Sequence, residues 1–257
     1  MRELAHDLRQ TARATPLPAP EAAAPMPAME AVLASLSALT AAGRAVRERP
    51  GGQVTMVAIP SLVTAILPAA IEAAMGRYAG LRVATQIIST RQAVDAVARG
   101  VADIGLVHDI LDDPLVLAEN LGQAAMGCAV PSAHRLAGRR RMRVRDLRGL
   151  PFASYGVDSP IGERLRAAFE KEGETFAPAF ELGASTVICE VALQAGVPAV
   201  VEDYIPALGR WPGLRVVPLE AAIPLHLRLI TTLQRPVPMA TKALGEACRR
   251  VVAERFR

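Results

Sequence analysis

The sequence predicts an α/β domain that runs from about Gln53 to the C-terminus, on the strength of three observations. Runs of β-branched and apolar residues alternate with longer segments of helical periodicity. The run Ala102–Val107 is apolar apart from Asp103, as in strands that are buried on both faces of a parallel sheet. Ser and Thr residues stand where the helices are predicted to begin, which is the usual position of an N-cap.

The elements follow one another as strand, helix, strand, helix, which predicts βαβ units with right-handed crossovers. Strands are predicted at 53–59, 81–88, 102–107, 124–130, 152–155, 179–183, 198–201, 214–218 and 226–233. Helices are predicted at 61–78, 91–99, 159–172, 185–194 and 241–255, with a helical turn at 204–208.

The residues before this domain have a different composition. Residues 1–28 are rich in Pro and Ala and predict a disordered tail. Residues 29–49 predict a linker helix, because apolar or small residues recur in steps of three and four. These residues are Met29, Val32, Leu36, Leu39, Gly43 and Val46. The seam fits either a short dimerisation helix or an ordinary amphipathic helix that packs on its own domain.

Composition sets bounds on the class of protein. The net charge of +4 is mildly basic and does not by itself indicate a nucleic-acid-binding surface. The three cysteines lie far apart, form no CxxC pair and are expected to be reduced and buried. No signal peptide and no membrane span is evident, so a cytoplasmic protein is predicted.

Hydroxyl-bearing residues mark the predicted strand-to-helix junctions in both parts of the domain. They are Ser61, Ser89 with Thr90, Ser159 and Ser185 with Thr186. The start of a helix presents free N–H groups and a partial positive charge, which attract anions. These hydroxyls could simply cap their helices. If they face one cleft, they predict a binding site for a small, anionic molecule such as a carboxylate.

Motifs for other chemistry are weak. There is no GxSxG, HxxxH or GxGxxG, so no cofactor or metal and no catalytic activity is expected. His108 with Asp109, Asp112 and Asp113 fits a solvated turn better than a metal site. The Arg-rich run 135–148 could contact phosphates or form a solvated loop. An enzyme would need a poised group in the cleft, for which Glu202, Asp203 and Tyr155 are the candidates.

Several segments are similar to one known family. They are GGQVTMVAIPSLVTAILPAAI, STRQAVDAVARGVADIGLV, CAVPSAHRLAGRRRMRVRDLRGLPFASYG and GASTVICEVALQAGV. From about Met29 to the end, the chain resembles the linker helix and effector-binding domain of LysR-type transcriptional regulators. The resemblance implies a two-lobed, periplasmic-binding-protein-like (type 2) fold. Lobe I would comprise 53–127 and 228–257, and lobe II 128–227, with crossing strands near 124–130 and 226–233.

The resemblance also implies where an effector would bind. The effector pocket would be lined by Ser61, Ser89, Thr90, Ser154, Tyr155, Gly156, Ser185 and Thr186. Glu202 stands near this cleft where relatives more often have Pro, and it brings an acidic group close to the ligand. The family's winged helix-turn-helix is not recognised in residues 1–28, so DNA contact is expected only if such a domain lies outside this chain.

The leading hypothesis is therefore an effector-sensing domain that couples ligand binding to oligomer state and transcription. A homodimer or homotetramer is expected for such a regulator. The alternative is a stand-alone cytosolic binding protein of the same fold, which needs neither an oligomer nor DNA. Sedimentation would separate the two hypotheses, because the second predicts a monomer.

Overall fold

The computed structural model describes residues 52–109, 113–221 and 223–256. The predicted tail 1–28, the predicted linker helix 29–49 with its heptad seam, and Asp112 lie outside the described residues. The α/β alternation predicted from Gln53 onward is present.

The strands begin and end close to their predicted positions, with one exception. They are β1 Gln53–Ala58, β2 Arg82–Ile87, β3 Ile104–His108, β4 Val116–Pro131, β5 Ala153–Tyr155, β6 Phe180–Leu182, β7 Ala199–Glu202, β8 Leu214–Pro218 and β9 Pro224–Thr232. The exception is β4, which begins eight residues before the predicted start at 124. Its first half, LAENLGQ, mixes apolar and polar residues and contains no β-type run, so this part of the strand forms because it pairs with β9.

The helices also follow the predicted order. They are α1 Pro60–Met75, α2 Thr90–Ala98, α3 Pro160–Lys171, α4 Ser185–Ala195 and α5 Met239–Arg255. Short 3₁₀ turns lie at Val144–Leu147 and Pro206–Leu208.

The long strand β4 joins two sheets. In the first sheet the order is β2-β1-β3-β9-β4, where β1 is parallel to β2 and β3, and β9 runs antiparallel to β3 and β4. From Met126 onward, β4 pairs instead with β7 and β8, and β5 joins β7 to β6. We call the part built on the first sheet lobe I and the part built on the second sheet lobe II. The residue-level boundaries between them stay a prediction.

Apolar residues hold each lobe together. In lobe I, α1 packs against α5 on one face of the sheet. On the other face, α2 covers a smaller cluster that includes Val57, Val94, Val97 and Ile230. In lobe II, Phe152, Phe169 and Phe176 pack together, with ring centroids between 5.1 and 6.1 Å apart.

Two predicted helix caps are wrong. Ser61 and Ser185 were expected to cap α1 and α4, but the N-cap positions are Ile59 and Ala184, and neither makes a side-chain cap bond. Ser89 and Ser159 do cap their helices, by accepting hydrogen bonds from the backbone N–H of Gln92 and of Gly162. The Ser185 hydroxyl makes a tertiary hydrogen bond to Glu202 instead, which a local capping pattern cannot foresee.

Candidate functional site

The candidate site lies where parallel strands of both lobes end. His108 is the last residue of β3, Tyr155 of β5 and Glu202 of β7. Helices α2 and α4 begin immediately after strands in this same region, at Thr90 and Ser185. In open α/β sheets, the carboxyl ends of the strands are where ligands bind.

In lobe II, three buried side chains form a compact polar cluster. The Tyr155 hydroxyl donates a hydrogen bond to Oε2 of Glu202 at 2.7 Å, and the Ser185 hydroxyl donates to the same oxygen at 2.8 Å. The two hydroxyl oxygens lie 2.6 Å apart. Glu202 is fully buried, so this triad is shielded from water.

Tyr204 connects this cluster to lobe I. It follows β7, and its hydroxyl lies 2.9 Å from Nε2 of His108 at the end of β3. Ser61, the second residue of α1, is close enough to this hydroxyl to lower the Tyr204 pKa against the larger effect of burial. The rings of Tyr204 and His108 meet edge to face, with centroids 6.1 Å apart. The lobes are therefore in direct polar contact at the carboxyl ends of their strands.

Two atoms in this region are buried without a hydrogen-bond partner among the described residues. They are Oε1 of Glu202 and Nδ1 of His108. Buried polar atoms are nearly always paired, because an unmade hydrogen bond costs about 1–3 kcal/mol. The cluster thus has spare hydrogen-bonding capacity at its centre.

Burial dominates the electrostatics of these groups. It lowers the pKa of His108, against the opposing effect of the negative charges of Glu202 and Asp109. It raises the pKa of Tyr204 well above its ordinary value, and the charge of Glu202 raises it further. The pKa of Tyr155 is raised by the same two causes. His108 is therefore neutral at neutral pH, and both phenols keep their protons.

A second interlobe contact involves Asp109. Its carboxylate forms an ion pair with Arg164 on α3, and Arg164 also donates to the backbone carbonyl of Pro224. His226 Nδ1 lies 2.6 Å from Oδ1 of Asp109. Although burial raises the pKa of Asp109, these hydrogen bonds and the charge of Arg164 hold it below its ordinary value. Asp109 has φ of +34°, an uncommon conformation for a residue with a side chain.

The structure brings some of the predicted hydroxyls together and separates others. Ser61 and Ser185 lie in the polar contacts described above, and Thr90 bonds through its hydroxyl to the backbone carbonyl of His108 at 3.4 Å. Ser154 points away, because its hydroxyl donates to the carbonyl of Val200 within the second sheet. Ser89 is exposed and bonds to Gln92 in the capping box of α2.

The other predicted positions are Gly156, in the turn after β5, and Thr186, on α4. The Gly156 carbonyl accepts a hydrogen bond from the Ser159 hydroxyl at the start of α3. A Cβ at Gly162 would lie 1.9 Å from that carbonyl oxygen, so the close approach of α3 to this turn requires glycine at 162. Thr186 is the second residue of α4 and is partly buried.

His108, Tyr204 and Arg164 were not among the predicted site residues. In the sequence, His108 begins an Asp-rich turn and Tyr204 begins a predicted helical turn, and neither setting indicates a site residue. One signal was available for His108, which is a polar residue at the end of an otherwise apolar strand. Arg164 gave no signal, because nothing in its local sequence indicates a partner 55 residues away.

The remaining motifs have ordinary surroundings. Within the described residues, no group of His, Cys, Asp and Glu could hold a metal ion, and no helix is long and apolar enough to cross a membrane.

Cys128, Cys189 and Cys248 are free and buried as expected, and burial raises the pKa of each thiol to about 12. In the Arg-rich run, Arg139, Arg143 and Arg148 pair with Asp146, Glu220 and Glu174.

A cavity of about 720 Å³ is lined in part by Tyr204 and by its neighbour Asp203. It is lined by α1, the middle of β4, the 3₁₀ turn Pro206–Leu208 and the end of α5. The Tyr204 ring packs edge to face on Phe256 there, at a centroid distance of 5.0 Å. This cavity shares only Tyr204 with the polar cluster and lacks the strand ends, so we regard the cluster as the better candidate site.

Comparison with solved structures shows the same fold. A LysR family transcriptional regulator from Pseudomonas aeruginosa, HinK, matches with a TM-score of 0.68 and 17% identity, over 97% of this chain and 87% of that one. The effector-binding domain of QuiR in complex with shikimate has a TM-score of 0.66 and 12% identity, over 80% of this chain and 99% of that one. The BenM effector-binding domain with benzoate has a TM-score of 0.64 and 17% identity, over 79% and 93%.

No curated protein matches the chain in sequence. A family model described as the LysR substrate binding domain matches residues 47–253. The match spans both lobes and every strand and helix described above except the last two residues of α5. The chain therefore belongs to the LysR substrate-binding domain family, with the two-lobed, periplasmic-binding-protein-like fold.

Proposed function

We propose that this domain senses a small-molecule effector, which binds between the lobes at the cluster of Tyr155, Ser185, Glu202, His108 and Tyr204. The observation that carries the proposal is the 2.9 Å contact between the Tyr204 hydroxyl and Nε2 of His108, because it places polar groups of both lobes at one point. A ligand inserted there must change how the lobes meet. The role is binding without turnover.

The site is suited to this role because it lies where the two sheets that share β4 meet. A ligand shifts a conformational equilibrium only through different affinities for the two states. Residues that contact the opposite lobe, such as Tyr204 and His108, would lose each other as partners if the lobes moved apart. The solved effector-binding domains of QuiR and BenM hold shikimate and benzoate, which supports a small organic effector here.

The proposal extends to the way in which binding is read out. We propose that the domain acts in the cytoplasm as part of a homodimer or homotetramer. Contact with DNA would then require a helix-turn-helix domain outside the described residues. A relative, CbnR, has been solved in complex with its target DNA, which supports a role in transcription control. The free, buried cysteines fit a reducing compartment.

A thermal-shift screen of small carboxylates, amino acids and amines tests the binding site. A ligand present at about 100 times its Kd stabilises the protein by about 2.7 kcal/mol, which gives a clear rise in Tm. We expect Ser185→Ala to lose most of the shift that a hit produces, because Ser185 contributes to the central cluster.

Two control variants make this result specific. Ser132→Ala removes a hydroxyl that bonds to the Gly213 carbonyl, outside the site, and should keep the full shift. Arg210→Ala alters the cavity lined in part by Tyr204 and Asp203. A hit that is lost in Arg210→Ala and kept in Ser185→Ala would move the effector site to that cavity and contradict the proposal.

A further inference from the structure

The chemistry of Glu202 indicates what kind of effector the cleft accepts. Glu202 is fully buried, and the two hydrogen bonds that its side chain accepts both fall on Oε2. Oε1 has no partner among the described residues. None of the ion pairs in the described part of the chain involves Glu202.

A buried carboxylate with neutral partners only is an incomplete arrangement. Burial of an unpaired charge is costly, and the cost falls when a cation with hydrogen-bond donors pairs with it. Charge-assisted hydrogen bonds are about twice as strong as neutral ones. A positively charged donor is therefore the partner that would stabilise the Glu202 carboxylate most.

The start of α4 already has an anion. Ser185 is the first residue of α4, and it joins the helix start to the Glu202 carboxylate by a 2.8 Å hydrogen bond. The partial positive charge of a helix start favours a negative group close to it. Glu202 thus takes the place in which an anionic ligand was expected, and a second carboxylate beside it would meet like-charge repulsion.

The surrounding groups are affected by the same negative charge. The charge of Glu202 adds to burial in raising the pKa of Tyr155, Tyr204 and Cys189. His108 is the nearby base, and burial lowers its pKa. It is neutral at neutral pH and supplies no compensating cation, although its unpartnered Nδ1 offers one more hydrogen bond.

We propose that the effector carries a protonated amine that donates an N–H to Oε1 of Glu202, and a second polar group that bonds to Nδ1 of His108. This inference rests on the proposed function, since it names the ligand class of the same cleft. It replaces the anionic effector expected from the helix starts.

Isothermal titration calorimetry of the full chain at pH 7.5 tests the inference with matched probes. One set is butylamine, butanol and butyrate, and the other is benzylamine, benzyl alcohol and benzoate. In at least one set, we expect the amine to bind more tightly than the alcohol and the carboxylate. Glu202→Gln keeps the shape of the side chain and removes its charge, so the Kd of the amine should rise by about tenfold or more.

The control variant is Glu170→Gln, which removes an exposed carboxylate paired with Arg166 on α3 and should leave the affinity unchanged. The ligand-side control is the trimethylammonium analogue of the amine that binds, which keeps the charge but has no N–H. It should lose binding to the wild type. This comparison decides the question even if Glu202→Gln does not fold, which circular dichroism would show.

Other outcomes separate the inference from the proposed function. If butyrate or benzoate binds most tightly and Ser185→Ala abolishes that binding, the amine inference is overturned and the sensor proposal stands. An amine that binds equally well to wild type and Glu202→Gln also overturns the inference. If neither amine binds, it is overturned as well, and the broader thermal-shift screen still tests the sensor proposal.

Discussion

At the scale of single residues, His108 shows how burial sets the chemistry of the cleft. It ends an apolar strand, contacts Tyr204 through Nε2 and is 6% exposed. Such an imidazole must stay neutral in the folded protein, because burial opposes the charged form. In the unfolded chain, the same group takes up a proton near its ordinary pKa of 6.5.

This difference predicts a loss of stability in mild acid. The folded-state pKa of His108 is lowered, so below about pH 6.5 the unfolded state binds more protons and the free energy of unfolding falls as pH falls. The slope from this group reaches at most about 1.4 kcal/mol per pH unit. Urea unfolding of wild type and His108→Gln between pH 7.5 and 5 measures it. The variant should show a flatter dependence, and equal slopes would contradict the assignment.

At the scale of elements, α4 positions Ser185 against Glu202, and its two ends are formed in different ways. Its start lacks a side-chain cap, because the N-cap residue is Ala184, and the Ser185 hydroxyl one residue later bonds to Glu202. Its end is the left-handed Gly196, with φ of +68°. Glycine adopts this conformation without the strain that a Cβ introduces. The sequence pattern predicted this C-terminus correctly.

Gly196→Ala should therefore destabilise the protein by about 1–2 kcal/mol, through strain at the left-handed position. Gly183→Ala is a matched control, because Gly183 precedes the same helix, has open space where the alanine Cβ would lie and has no left-handed φ. Its unfolding free energy should stay within about 0.5 kcal/mol of wild type. Chemical denaturation checks both values, and equal effects of the two substitutions would rule out the strain argument.

At the scale of the whole molecule, two of the polar contacts between the described residues join the lobes near the strand ends. One is the buried Tyr204–His108 hydrogen bond, and the other is the part-exposed ion pair of Arg164 and Asp109. Arg164 also reaches the Pro224 carbonyl at the start of β9. Effector binding between the lobes would have to act on these contacts.

Loss of the Arg164 contacts should favour a more open arrangement of the lobes. Small-angle X-ray scattering of the ligand-free protein is expected to give a larger radius of gyration for Arg164→Ala than for wild type. Arg166→Ala is the control, because Arg166 lies on the same helix and pairs with Glu170 within it. The ion pair of Arg164 and Asp109 is part-exposed, so a double-mutant cycle of Arg164→Ala and Asp109→Asn should give a coupling free energy of about 1 kcal/mol or less. Identical scattering from the Arg164 and Arg166 variants would contradict the role of this contact.

The sequence by itself determined the order of elements in the described domain. Local patterns suffice for this, because apolar runs, serine N-caps and glycines at helix C-termini act over a few residues. Ser89 and Ser159 are such N-caps, and Gly196 is such a glycine. Family-specific segments added the two-lobed fold, which the family match confirms. The first half of β4 was missed, since a segment without a β-type run becomes a strand there only through its pairing with β9.

Only the tertiary structure decided what the site residues do. Ser185 was predicted as a cap, and folding brings it to Glu202, 17 residues away, where the hydroxyl forms a stronger, charge-assisted hydrogen bond. Tyr204 meets His108 across 96 residues of sequence, and no local rule connects such a pair. Hydroxyl positions follow from backbone periodicity, but hydrogen-bond partners follow from three-dimensional packing, and that packing left one oxygen of Glu202 without a partner among the described residues.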